Sequence, residues 1–158
     1  MAEDHDQVSD LSTELFVKLG LRQSQLLQAI TSTLKELSTV KPGIRLKGLD
    51  NFECRIASHQ EEAALLETAF DQPDTLLTEA EKRELQQSGV HQASLMASFC
   101  DMVRHGLPEE RRVRILSLLE HLERRLSDKK TVVNFNRAMT LSTAAFIVAV
   151  ISLIVSTA

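Results

Sequence analysis

The run from Ala138 to Ala158 constrains this chain more than any other stretch, because its twenty-one consecutive residues carry no charge. At 1.5 Å rise per residue, about 20 helical residues cross the ~30 Å hydrocarbon core of a bilayer. A helix apolar on every side can also be the buried core of a large protein. The residues up to Arg137 make about one domain, which is too small to wrap such a helix completely. The run therefore reads as a transmembrane helix over residues 138–158. Lys129, Lys130 and Arg137 flank it on the N-terminal side and no residue follows it. The positive-inside bias then places the N-terminus in the cytoplasm and makes the expected protein single-pass and tail-anchored, with the lipid bilayer as its first partner.

The same run is patterned. Ala138, Ser142, Ala145, Ala149, Ser152 and Ser156 are spaced 4, 3, 4, 3, 4, with Phe146, Ile147, Val150, Ile151, Leu153 and Ile154 on the remaining surface. In lipid, helices associate by close packing and hydroxyl bonds, and small residues let backbones approach. The stripe is thus expected to be a packing face for another transmembrane helix, of a second copy or of a partner protein. It does not continue the upstream seam of Ile115, Leu119, Leu122 and Leu126. Carrying that heptad forward leaves the two faces two residues, or ~200°, out of phase at 100° per residue. The seam is expected to complete a domain core.

Charge is divided along the chain. Up to Val103 there are 9 Lys and Arg against 17 Asp and Glu; from Arg104 to Arg137 there are 9 against 5. The basic part adjoins the membrane segment, where anionic headgroups attract it by roughly 1 kcal/mol per basic residue near the surface. An ordinary solvated face rich in arginine explains the count equally well. Met1 to Asp10 holds four acids and no basic residue, which is no signal peptide. Cys54 and Cys100 are too few for a disulfide framework and are expected to be buried small hydrophobes. With no Trp and no Tyr the chain lacks stacking aromatics, so no nucleic acid is expected as a partner.

The expected fold class is all-α: a cytosolic helical bundle followed by one C-terminal transmembrane helix. Residues 1–10 are expected to be a disordered lead and residues 11–130 the cytosolic helical domain. Leu11, Leu15 and Leu19, then Leu26, Leu27, Ile30, Leu34 and Leu37, give two apolar stripes with a break or kink near Gly20. Between 44 and 56 the pattern alternates through Ile44, Leu46, Phe52, Cys54 and Ile56, as in a short β-hairpin, with a short helix or a loop as the alternatives. Helical signals resume at Glu61, with Ala64, Leu65 and Ala69 inward, Leu66 as a further inward candidate, and Pro73 as a stop. Thr78 and Glu81 form a capping box, and a further helix places Leu95, Phe99 and Met102 together. Pro108 opens the clearest helix, with Val113, Leu116 and Leu118 widening its seam. Residues 131–137, with three β-branched residues and Asn134 and Asn136 about Phe135, read as a juxtamembrane joint that bends or continues as helix.

No phosphate loop, zinc-type cysteine pair or nucleophile elbow appears, and His59, His91 and His105 each stand without a second histidine or cysteine at helical spacing. No catalytic site, cofactor or metal is expected. Arg114 and His121, with six residues between them, resemble the Arg-x4-6-His signature of the HEPN ribonucleases. That resemblance implies a helical protein that dimerises to pair two such motifs around a phosphodiester. The plainer reading leaves both residues on a solvated face, with Arg114 held to Glu110. Three functions follow as expectations: a membrane-anchored module whose cytosolic domain binds or regulates a cytosolic protein, a membrane effector or pore assembled by its single helix, and a nuclease.

Overall fold

A computed structural model describes residues 2–41, 47–87, 92–104 and 106–157. Five helices follow one another: α1 (Ala2–Thr39), α2 (Lys47–Asp71), α3 (Glu79–Gln87), α4 (Gln92–Arg104) and α5 (Leu107–Thr157), with a 3-10 turn (Pro73–Leu76) between α2 and α3. Among the described residues there is no strand. The fold is all-α, a helical bundle from which a long apolar C-terminal helix extends.

Helix α1 is the spine. Ser12, Leu15, Leu19, Gln23, Leu26, Ile30, Thr33 and Leu37 are all buried, and their 3, 4, 4, 3, 4, 3, 4 spacing is one continuous helical face. The break expected near Gly20 is absent because the stripe is carried across it by Gln23, a polar side chain in a core position. Its Nε2 donates to the Pro108 carbonyl at 3.0 Å. Gly20 has a packing role instead. Its carbonyl accepts from Arg111 at 2.9 Å, and a Cβ there would stand 3.1 Å from that guanidinium.

Helix direction follows from contacts that cross between helices. Gly20 with Arg111 and Val40 with Lys129 occur in the same order along α1 and α5, so these two run parallel. Glu67 with Arg112, Gln60 with Glu123 and Glu53 with Lys130 occur in opposite order, so α2 is antiparallel to α5. Helix α4 covers the N-terminal part of α1, where Ser12 and Ser98 hydroxyls lie 3.0 Å apart. Phe99 is fully buried there.

Several expectations are corrected. Where a β-hairpin is one sequence reading, α2 is helical from Lys47, and Leu49, Phe52 and Ile56 are buried along it. The 3, 4 spacing of these three is helical, and the alternation rested on Cys54, which is exposed. Ile44 and Leu46 lie outside the described residues. Along the next turns Ala63, Leu66 and Ala69 face inward, whereas Ala64 and Leu65 are exposed. A run of four small or aliphatic residues does not by itself reveal its phase. Val113 and Leu116 are also exposed, since the α5 seam is narrow: Ile115, Leu119, Leu122, Leu126 and Val133. Residues 2–10, expected as a disordered lead, belong to α1. Helix propagates cheaply once nucleated.

No joint interrupts α5, which is helical for 51 residues. The weaker helix formers at Thr131 to Val133 cost only a few tenths of a kcal/mol each. Against this, Val133 is 1% exposed in the core, and the Thr131 hydroxyl folds back onto the Ser127 carbonyl at 3.0 Å. Breaking the helix would also strand backbone groups beside an apolar segment, at several kcal/mol each in lipid. Among the described residues Val133 is the last buried one; from Arg137 to Ser156 every residue is exposed. This part is long and apolar enough to cross a membrane, and none of its apolar window is covered by the rest of the chain.

Candidate functional site

Because α5 is unbroken, the bundle fixes the rotational phase of its apolar end. Counting 100° per residue from the buried seam, the stripe of Ala138, Ser142, Ala145, Ala149, Ser152 and Ser156 lies about 140° round the helix, on the side turned away from α1 and α2. The ~200° of the heptad projection shrinks because a straight helix drifts ~20° per heptad, or about 60° over this distance. All six residues are exposed. Two of the stripe's three hydroxyls are spent within the helix: Ser152 donates to Val148 and Ser156 to Leu153, each at 2.9 Å. What the stripe presents is therefore small size more than hydrogen-bonding capacity.

The three flanking cations are not equivalent. Lys129 donates to the Val40 carbonyl at the end of α1, and Lys130 is paired with Glu53 of α2. Both are half-buried, and both tie α5 to the bundle. Only Arg137 stands free on the exposed part of the helix, close to the exposed Phe135.

Two kinds of groove run along α5. Between α1 and α5 lies a cavity of about 390 Å³, walled by Lys35, His121, Arg125 and Lys129, with Leu34 and Leu37 along its floor and Thr31 and Ser38 at its edge. Between α2 and α5 lie two shallow cavities of about 420 and 360 Å³, lined by Glu53, Glu67, Glu120 and Glu123, with Lys130 held by Glu53, over Ile56, Ala63, Leu119 and Leu126. One side of α5 is basic and the other acidic. Linear sequence hides this, because the division depends on which helix stands on each side.

Ion pairs between helices were equally hidden. Arg112 binds Glu67 through Nε and Nη2, each at 2.7 Å, and its guanidinium lies 5.3 Å from the Phe70 ring centre. Glu67 and then Glu109 push its pKa up. Arg55 meets Glu36 at 2.5 Å, and that contact pulls the Glu36 carboxyl below its usual range. Lys18 reaches Glu81 at 2.5 Å, so the α3 cap is tied to α1. The cap itself has the geometry expected: Thr78 donates from its amide and its hydroxyl to Glu81 at 2.6 and 2.8 Å, and the Glu81 amide donates back at 3.3 Å. Lys18 first, then Thr78, hold the Glu81 pKa down to about 2.

Arg114 and His121 are both exposed on the outward side of α5, two turns apart, and only His121 borders a groove. The wet-side pair Glu120 with Arg124 forms at 3.4 Å. His59 is half-buried with Nε2 3.0 Å from the Thr33 hydroxyl; burial, then the Arg55 charge, lower its pKa. Among the described residues no cluster of three metal-ligating side chains occurs. Comparison with known proteins finds no matching family model, no matching curated protein and no matching solved structure.

Proposed function

We propose that this chain is a single-pass membrane protein, held in the bilayer by the apolar end of α5 with its helical bundle on the cytoplasmic side. In this reading the bundle is an interaction module that binds or regulates a partner at the membrane. The small stripe brings a second transmembrane helix alongside. The observation that carries the reading is the uncovered apolar end of α5, continuous with a helix whose other half is core. An apolar surface of that extent is far larger than the few hundred Å² a soluble monomer exposes. Lipid is the solvent that removes its cost.

Orientation is supported by Arg137 at the bundle side of the run and by the basic content of residues 104–137. Phe135 stands at the height of the headgroups. The test is membrane extraction and protease protection of the full chain. A carbonate-resistant protein whose bundle is digested from the cytoplasmic side is the expected result; release by carbonate or protection of the bundle overturns it. Partners retained through purification in mild detergent then define the module. A membrane effector that assembles into a pore is the second reading, favoured by the uninterrupted small stripe. Conductance across planar bilayers separates it from an interaction module. RNA cleavage that disappears in His121→Ala would instead support the nuclease.

A further inference from the structure

We propose that the basic groove between α1 and α5 binds the anionic headgroup of a bilayer glycerophospholipid, an inference that rests on the membrane reading above. Three cations elsewhere on α5 are paired with acids: Arg112 with Glu67, Arg124 with Glu120 and Lys130 with Glu53. Among the described residues no carboxylate pairs with Lys35, Arg125 or Lys129, and none lines the groove. The acids next to them in sequence are occupied or turned away. Glu36 is held by Arg55 of α2, and Asp128 is exposed outside the groove.

Donor geometry suits a phosphate. His121, Arg125 and Lys129 follow at i, i+4 and i+8 on one row of α5, about 6 Å apart at each step. Arg125 offers a planar fork of donors, and Lys129 keeps two of its three after the bond to Val40. Lys35 closes the site from α1. The size is that of a small-ligand site, since 390 Å³ falls within the roughly 300–1,000 Å³ such sites occupy. From Thr31 to Ser38 the groove is about 10 Å long, two helical turns, which is shorter than the usual three-turn helix. A headgroup fills it better than a partner helix would.

Position points to the same occupant. Lys129 stands nine residues before Ala138, about 14 Å along the helix from the start of the uncharged run. Headgroups extend roughly 5–8 Å beyond the hydrocarbon on each side, so the lower end of the groove is within one ~8 Å screening length of them. Basic pockets at this height beside a membrane helix are known headgroup sites.

The experiment titrates the full chain, in uncharged detergent, with dihexanoyl-phosphatidylserine, dihexanoyl-phosphatidylcholine, inorganic phosphate or an acidic amphipathic peptide, following binding by calorimetry. The serine lipid is expected to bind at least tenfold more tightly than the other three. Lys35→Glu with Arg125→Glu should remove that preference, while Arg114→Glu with Arg124→Glu, which changes charge by the same step on the outward side, should retain it. Lys35→Gln with Arg125→Gln should weaken it severalfold and serves if the reversed variant loses its helical circular dichroism. Equal affinity for the two lipids, tighter binding of free phosphate or of the peptide, or indifference to both groove variants overturns the proposal. A chain that inserts in membranes yet fails these titrations refutes the groove alone; one that fails to insert refutes the membrane reading.

Discussion

Glu81 shows how much one side chain can organise. It completes the Thr78 cap at the start of α3 and also receives Lys18 from α1, so a local signal and a tertiary contact meet on the same carboxylate. Its pKa is held at about 2 against an ordinary 4.5. The folded state therefore favours the ionised form, and the stabilisation is present above pH 4.5 and lost as pH falls toward 2. Thermal melts of the full chain across that window are expected to fall with acid. Glu81→Gln should flatten that part of the profile, and an unchanged slope would show that other carboxylates dominate. His59 has the opposite chemistry and the same direction. A pKa lowered from 6.5 means the neutral ring is preferred, so acid below that value erodes stability. At Gly106 the constraint is space: a Cβ would stand 2.8 Å from the Met102 carbonyl and 3.0 Å from the Phe16 ring. Backbone cannot yield as a side chain can, so Gly106→Ala is expected to cost about 1–3 kcal/mol, read by denaturant unfolding.

Among the helices, α5 does two different jobs with two faces. Its buried seam ends at Val133, and its small stripe begins at Ala138 on the outward side. Changing Ala145, Ala149 and Ser152 to leucine keeps the segment apolar while filling the gap between backbones. Insertion should survive and crosslinking in membranes should drop severalfold. Ile147, Ile151 and Ile154 to valine is the control, expected to be nearly neutral. If the leucine variant crosslinks like the original, the stripe is not a packing face. The juxtamembrane cations need separate treatment. Lys129→Glu would bring a carboxylate against the Val40 carbonyl, and Lys130→Glu would oppose Glu53, so both disturb the bundle as well as any headgroup contact. Arg137→Glu isolates the membrane effect, and weaker association with anionic vesicles at low salt is the expected outcome.

For the whole molecule, the core stops before the apolar run: among the described residues every buried side chain lies at or before Val133. A chain ending at Arg137 is accordingly expected to remain folded, helical and soluble, with a melting transition close to that of the full protein. Precipitation or loss of helical circular dichroism would mean that the bundle needs lipid. The same layout makes the bundle continuous with the apolar end of α5, since no residue between Leu107 and Thr157 breaks the helix.

Local chemistry was legible in the sequence wherever it acts through neighbours along the chain. The membrane-length run, the Thr78 cap, the proline that opens α5 and the heptad seam all follow from composition and spacing, because hydrocarbon thickness and the helical repeat are fixed lengths. Which residues meet across helices was not legible. The spacing of leucines gave no sign that Gln23 is a core residue with Pro108 as its partner, and Lys129 and Lys130 read as membrane contacts until Val40 and Glu53 claimed them. The basic and acidic sides of α5 exist only because α1 stands against one and α2 against the other. Sequence sets each helix's own pattern, but burial and electrostatic pairing are properties of distance, and distance between helices is decided by the packing.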